Sequence, residues 1–136
     1  MNYLLDTNVC IALINGSSRK VRTAYLKAER SGAVLATSSI AVHELWYGVA
    51  KSQLAAQNAR ALSAFLSREV TVLDYSAQDA RAAGEIRAEL ERQGKRIGEY
   101  DTLIAGQAFR RNLILVTANT SEFQRVKGLV VEDWTV

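Results

Sequence analysis

Proline is absent from the 136 residues of this sequence, which contains one cysteine and one histidine. A lone cysteine cannot form an intrachain disulfide, and because Cys10 lies in an apolar helical pattern we predict that its thiol is buried. The lone histidine, His43, excludes any catalytic mechanism that needs two histidines. We interpret it as a structural or supporting residue beside Glu44.

Long hydrophobic runs are also absent. No apolar stretch approaches the roughly 18 residues that a membrane-spanning helix requires, and Asp6 and Asn8 interrupt the opening stretch too early for a secretion signal. No repeat, low-complexity tract or Gly/Ser linker divides the chain. Its 49% of hydrophobic and 23% of charged residues are typical of a globular protein. We therefore predict one domain over residues 1–136, cytoplasmic and without membrane association.

The net charge of +3 is small, but its distribution carries information. If Asp6, Glu44, Glu99 and Asp101 share one pocket, removing their four negative charges from +3 leaves +7 for the rest of the molecule. An acidic cleft in a basic exterior suits a polyanion that is held by its phosphates. The alternative is that these lysines and arginines only solvate helix faces.

Short apolar runs alternate with segments of helical spacing along the chain. The runs typical of strands are residues 3–5, 33–36, 70–73, 113–116 and 129–131. Helical segments cover residues 9–14, 19–30, 40–50 with Ser39 as N-cap, a stretch around 54–66, a long helix that starts after Ser76 and stops at Gly94, and residues 100–111. This alternation predicts an α/β fold with a central parallel sheet and helices on both faces.

Three acidic residues fall where right-handed crossovers would gather the loops of this sheet along one edge. Asp6 follows the first strand, Glu44 lies among apolar neighbours in the third helix, and Asp101 begins the helix before the fourth strand. Asp6 could instead be only a helix cap, and Asp101 an acid favoured by a helix dipole. A carboxylate on the apolar face that carries Glu44 is costly unless it is paired or binds a ligand. Together the three would form the oxygen-rich cluster that hard divalent cations bind.

Several short motifs occur in a fixed order. They are Leu4-Leu5-Asp6-Thr7-Asn8, Glu44-Leu45, Tyr47-Gly48, Gly94-Lys95-Arg96-Ile97-Gly98, Asp101, Ile104-Ala105, Val116-Thr117, Asn119-Thr120, Glu122-Phe123 and Glu132-Asp133-Trp134. With them the chain resembles PIN-domain ribonucleases, specifically the VapC toxins of bacterial type II toxin–antitoxin modules, and its C-terminal part is especially similar to the enteric members. The resemblance covers nearly the whole chain and implies the PIN-domain fold, a parallel sheet between two helical layers.

The resemblance also implies a metal-dependent endoribonuclease. Its catalytic and metal-binding residues would be Asp6, Glu44 and Asp101, which bind Mg²⁺ or, in its place, Mn²⁺. Thr117 and Asn119, where many relatives have a fourth acid, are candidates to orient a metal-bound water. Glu99 would be a supporting carboxylate or, as we favour, a solvent-facing residue. Hydrolysis of this kind leaves a 5′-phosphate and a 3′-hydroxyl.

The implied substrate is RNA, with the anticodon stem-loop of initiator tRNA as the leading candidate, and its cleavage would inhibit translation and growth. The implied partners are a VapB antitoxin, in a hetero-oligomer, and a second copy of the chain, with apolar positions in the helices over 40–65 as candidate dimer contacts. Candidates to hold the RNA backbone are Lys51, Lys95, Arg96, Arg110 and Arg111. Tyr47 or Trp46 could stack on a base, although Trp46 could equally be a core residue.

Two other functions are compatible with parts of this pattern. A phosphotransferase or phosphatase could use Asp6 as its nucleophile, but such chemistry commonly needs a second acid two residues later, where Asn8 stands. A non-enzymatic module could use the acidic cleft only to dock a basic partner. Metal-dependent cleavage of RNA distinguishes the nuclease from both.

Overall fold

The computed structural model describes residues 1–136 and contains five strands and seven helices. In chain order they are β1 (Tyr3–Leu5), α1 (Thr7–Asn15), α2 (Arg19–Arg30), β2 (Leu35–Ser38), α3 (Ser39–Ala50), α4 (Ala55–Arg68), β3 (Thr71–Leu73), α5 (Ala77–Arg92), α6 (Glu99–Arg110), β4 (Ile114–Val116), α7 (Thr120–Phe123) and β5 (Val131–Glu132). None of the helices has the length and apolar character needed to cross a membrane.

The five strands form one sheet in the order β3-β2-β1-β4-β5, and every neighbouring pair is parallel. The predicted parallel α/β sheet is therefore confirmed. Strand β1 is central, with Leu5 opposite Thr37 of β2 on one side and Val116 of β4 on the other. The chain reverses its direction of winding between β1 and β4, and in such sheets ligands bind at this reversal, outside the carboxyl ends of the strands.

Helices cover both faces of the sheet because the central strands carry apolar side chains on both faces. Leu5 and Val116 belong to a hydrophobic cluster with side chains of α1, α2, α3 and α4. Leu4 and Leu115 point to the opposite face and join a second cluster, with side chains of α5, α6 and α7. All four are fully buried, and burial of each contributes roughly 1.5–3 kcal/mol. The result is the expected three-layer arrangement of helices, sheet and helices.

Strand β2 and the start of α3 differ from the sequence-based expectation. The strand covers Leu35–Ser38 instead of residues 33–36, because the polar residues at its end are bonded within the sheet. The Thr37 hydroxyl donates to the Leu5 carbonyl at 3.0 Å. Ser38, and not Ser39, is the N-cap of α3, since its hydroxyl accepts the Ile40 N–H at 3.1 Å.

Helices α5 and α6 approach each other closely at Gly106. A Cβ atom at this position would lie 2.7 Å from the backbone N and Cα atoms of Ala83 in α5. Such contacts are too short, and Ala83 cannot move without shifting its helix. Glycine is therefore required here by space, and the close packing fixes the position of α6 on the sheet.

We expect Gly106→Ala to lower the free energy of unfolding by about 1–2 kcal/mol, because overpacking outweighs the helix propensity that alanine gains. Gly84→Ala in α5 is the matched control, since no atom lies within 4 Å of its added Cβ. That control should be as stable as the parent or up to about 1 kcal/mol more stable. Urea denaturation measures both variants, and equal stabilities would show that the α5–α6 contact tolerates the methyl group.

Candidate active site

Asp6 lies at the carboxyl end of β1 and is 8% exposed. Its Oδ1 atom accepts the Val9 N–H at 2.9 Å, so the residue is also the N-cap of α1. Burial raises the pKa of Asp6, while the Thr117 hydroxyl and the Val9 N–H lower it and the charge of Glu44 raises it again. The N-cap of α1 and the proposed metal ligand are therefore the same residue.

Glu44 reaches the same edge from the second turn of α3. The Thr7 hydroxyl, at the start of α1, donates to its Oε1 atom at 2.8 Å. The side chain is half-buried, and its hydrogen bond explains how a carboxylate is tolerated among the apolar neighbours of α3. This contact brings the first turn of α1 and the second turn of α3 together around the end of β1.

Asp101 lies in the first turn of α6, close to the backbone of Gly98. Its pKa is raised to about 6 by burial and then by the charges of Glu122, Asp6 and Glu44, with partial relief from the Asn119 side chain. Asp6, Glu44 and Asp101 are distant in sequence, but their charges thus act on one another at the same edge of the sheet.

Glu122 is a fourth acid at this edge and was not among the predicted site residues. It lies in the short helix α7, and the Asn119 side-chain amide donates to its Oε2 atom at 2.7 Å. Its charge has the largest effect of any neighbouring acid on the pKa of Asp101. The signal in the sequence was its position three residues after Asn119, where a helical turn brings an acid back to the same face.

The predicted supporting residues divide into two groups. Thr117 is buried and accepts the backbone N–H of Asn119 at 3.0 Å, so both residues line the acidic edge after β4. Glu99 is exposed and is not among the charges that act on Asp6 or Asp101. We therefore leave Glu99 out of the site.

The donor chemistry of this edge fits a hard divalent cation, because every candidate ligand is an oxygen atom. No group of three or more His, Cys, Asp or Glu side chains, however, is arranged to hold a metal ion directly. Binding of one cation by Asp6, Glu44 and Asp101 together therefore stays a prediction. The charges of the three acids act on one another, and like charges repel. In addition, the Val9 N–H holds the carboxylate of Asp6 and the Thr7 hydroxyl holds that of Glu44.

In the absence of divalent cations, we expect Asp101 to destabilise the folded protein as the pH rises from about 4 to 6. Its ordinary pKa is 3.8 and its folded pKa is about 6, so the folded state holds a proton that the unfolded state has released. The contribution of Asp101 to the stability of the folded protein is therefore greatest below the lower pKa and is lost above the higher one.

At pH 7 Mg²⁺ should raise the melting temperature of the protein by mass action. Identical melting curves in Mg²⁺ and EDTA would contradict a cation site here.

Two of the predicted basic residues shortly precede α6, the helix that carries Asp101. Lys95 and Arg96 are exposed in the turn before α6. A third cation, Arg125, was not predicted, and its guanidinium donates to the Arg96 carbonyl at 2.8 Å. We call Lys95, Arg96 and Arg125 the basic turn. Lys51 lies elsewhere, at the C-cap of α3, with its ammonium 4.7 Å from the centre of the Tyr47 ring.

Arg110 and Arg111 do not contribute to this surface, because both contact the fully buried Asp79 of α5. The Arg110 Nε donates to Asp79 at 2.6 Å and an Arg111 terminal nitrogen at 2.7 Å. Although burial alone would raise the pKa of Asp79, the Arg111 guanidinium, the Ser76 N–H and the Arg110 guanidinium hold it well below its ordinary value. The two arginines end α6, roughly 14 Å along the helix from Asp101.

The lone cysteine is buried, as predicted. Burial raises the pKa of the Cys10 thiol to about 12, so it stays protonated and does not act as a ligand.

Trp46 and Tyr47 are 39% and 61% exposed. Neither ring is a core residue, and Tyr47 is engaged with Lys51.

A parallel sheet in the order β3-β2-β1-β4-β5, with acids after β1, in α3 and at the start of α6, defines a PIN domain, and the PIN-domain family matches residues 3–129. The chain is 44% identical over 135 residues to the tRNA(fMet)-specific endonuclease VapC of Shigella flexneri, with 99% of each chain covered. It is 42% identical to the ribonuclease VapC2 of Rickettsia felis, with 98% of each covered. This chain belongs to the VapC family of PIN-domain ribonucleases.

The solved structures agree with this assignment. The crystal structure of VapBC2 from Rickettsia felis bound to a DNA fragment from its promoter superposes with a TM-score of 0.90 at 40% identity, covering 98% of this chain and 99% of that one. The predicted PIN-domain fold and family are therefore confirmed.

Proposed function

We propose that this chain, as a single PIN domain over residues 1–136, is the toxin of a VapBC toxin–antitoxin module and a Mg²⁺-dependent endoribonuclease. The observation that carries the proposal is the meeting of Asp6, Glu44, Asp101 and Glu122 in one field at the carboxyl edge of the sheet. Four acids with few compensating charges destabilise the folded chain. Such an arrangement is expected where a cation must bind.

Asp6, Glu44 and Asp101 would hold the cation through their carboxylate oxygens, and Mn²⁺ would serve in place of Mg²⁺. When bound, the cation lowers the pKa of water and offsets the charge that builds on the phosphate in the transition state. Asn119 holds Glu122 beside Asp101 through its 2.7 Å hydrogen bond. Because water and not the RNA 2′-hydroxyl is the nucleophile, the products end in a 5′-phosphate and a 3′-hydroxyl.

The basic turn supports binding of an RNA backbone next to this edge. Lys95, Arg96 and Arg125 are exposed, and the Arg125–Arg96 hydrogen bond holds two of them together. Phosphate contacts of this kind weaken with salt, so binding should decline steeply as ionic strength rises. Arg110 and Arg111 are left out because Asp79 engages both.

The substrate that we propose is tRNA, with initiator tRNA cut in its anticodon stem-loop as the first candidate. The relative from Shigella flexneri is named as specific for tRNA(fMet), and 44% identity over the full length supports a related substrate. Loss of initiator tRNA would stop translation initiation and growth.

The partner that we propose is a VapB antitoxin, which the solved relative from Rickettsia felis binds. A cleft of about 270 Å³ lies between α1, α3 and α4. Its walls include the apolar Ile11, Ile14, Leu45 and Val49, and Glu44 also lines it. An antitoxin segment with apolar side chains and one basic residue would fill this cleft and neutralise the acids.

We also propose that the chain forms a homodimer.

Purified protein free of antitoxin, incubated with total tRNA in Mg²⁺ or in EDTA, tests the proposed activity. We expect cleavage only with the cation, at few positions, with 5′-phosphate ends that ligation-based mapping can identify. Cleavage that persists in EDTA would exclude the metal mechanism. Intact RNA under both conditions, from a folded protein, would favour the docking module, and a trapped phosphate on Asp6 would favour the phosphotransferase.

A further inference from the structure

Two exposed aromatic rings contact each other beside the acidic edge, and the proposed mechanism does not use them. The His43 and Tyr100 rings are 5.6 Å apart between centroids, with 48° between their planes. His43 lies in α3 and Tyr100 in the first turn of α6. Each ring directly precedes a site acid, Glu44 or Asp101. We call this pair the aromatic platform.

The position of the platform follows from helix geometry. Successive residues of an α-helix project about 100° apart, so each ring lies to one side of the acid that follows it. Because Glu44 and Asp101 face the same edge and the two rings are in contact, both rings lie on the same side of the acids. A nucleotide on the platform would therefore neighbour the reacting phosphate without covering the carboxylates.

Two other exposed rings, those of Tyr47 and Phe109, have partners that explain them. Tyr47 lies beneath the Lys51 ammonium, and Phe109 packs against Gly128 at the far end of α6. Tyr100 is 47% exposed and contacts only another exposed ring among the aromatic pairs. The platform thus presents apolar ring surface to solvent at the one edge where RNA would be cut.

We propose that His43 and Tyr100 bind one unpaired RNA base by stacking, and so select looped or single-stranded nucleotides for the adjacent site. The proposal rests on the ribonuclease activity proposed above. Aromatic rings stack on any base, whereas bases inside an A-form duplex are already stacked and are not available. With the basic turn holding phosphates, stacking would place an unpaired segment across the acids.

Steady-state cleavage of an RNA hairpin by the full chain with Mg²⁺ tests the platform. Tyr100→Leu keeps much of the apolar volume but removes the ring, and we expect kcat/KM to fall on the order of tenfold, mainly through KM. Tyr100→Phe, which keeps the ring, should restore the parent value. Phe109→Leu is the matched control, because that ring is 43% exposed on the same helix but distant from the acids; it should leave both constants unchanged.

Fluorescence of 2-aminopurine in the hairpin loop gives a readout that a general structural effect would not produce. In the Asp101→Asn background, which we expect to bind RNA without cutting it, stacking should quench the probe at one loop position, and Tyr100→Leu should abolish that quenching. Unchanged KM and unchanged quenching in Tyr100→Leu would overturn the platform while leaving the nuclease intact. Failure of the parent protein to cut any RNA with Mg²⁺ would instead overturn both proposals.

Discussion

Asp101→Asn should abolish RNA cleavage, with a fall in rate on the order of 10³-fold or more. The substitution replaces a carboxylate that faces three other acids with a neutral amide of nearly the same shape, so the cation loses a charged ligand while the fold is kept. Losing this share of transition-state stabilisation corresponds to about 4 kcal/mol or more. Initial rates with tRNA in Mg²⁺ measure the effect.

The same variant should be more stable than the parent in EDTA at pH 7. With the pKa of Asp101 raised to about 6, the ionised carboxylate is disfavoured in the folded state, and the amide removes that cost. We expect a gain of about 1 kcal/mol, which allows for solvent screening of a half-exposed group. Glu85→Gln, which alters an exposed acid on α5, serves as the control and should change neither rate nor stability. Full cleavage by Asp101→Asn would remove this residue from the mechanism.

Asp79→Ala should have the largest effect on folding of any single change at the α5–α6 contact. Its carboxylate is fully buried and accepts bonds from Arg110, Arg111, the Gln107 amide and the Ser76 N–H. Removing one partner of a buried charge cluster typically costs about 3–5 kcal/mol, and here the lower figure applies because both arginines can turn to water. A fall in melting temperature on the order of 10 °C is expected.

The pH dependence of the Asp79 contribution has the opposite sign to that of Asp101. Its pKa is held below the ordinary 3.8, so its stabilisation is present above pH 4 and is lost as the pH falls. The difference in stability between the parent and Asp79→Ala should therefore shrink as the pH falls below 4, towards the much lower folded pKa of Asp79. Glu85→Ala on the same helix is the control. A variant that melts with the parent at pH 7 would show that the cluster does not stabilise the fold.

The positions of the acids could be predicted because each is tied to a local pattern. Asp6 follows an apolar strand and Asp101 opens a helix, and a parallel sheet brings such positions to one edge. Glu44 stood out because a charge among apolar neighbours needs a reason. Each of these signals can be read from a few neighbouring residues. The rule that brings the three acids together, that the carboxyl ends of parallel strands meet at one edge, holds for parallel sheets in general.

The roles of Arg110, Arg111 and Glu122 could not be predicted in the same way, because their partners are set by tertiary contacts. Asp79 lies more than thirty positions before the arginines that it binds, and no spacing rule connects them. Helix α7 has four residues, too few to show a periodic pattern. The end of β2 was missed because Thr37 and Ser38 are typical of loops, whereas bonds to the Leu5 carbonyl and the Ile40 N–H satisfy them in the structure.

The central place of β1 has a consequence for synthesis of the chain. Asp6 is synthesised well before Asp101 and Glu122, which lie much later in the chain, and β1 pairs with β4, which is also made late. Domains of this size fold as units once their distant parts are available. The growing polypeptide therefore lacks a complete acidic edge until α7 has been made, and the site cannot assemble while the ribosome is still extending the chain through α6.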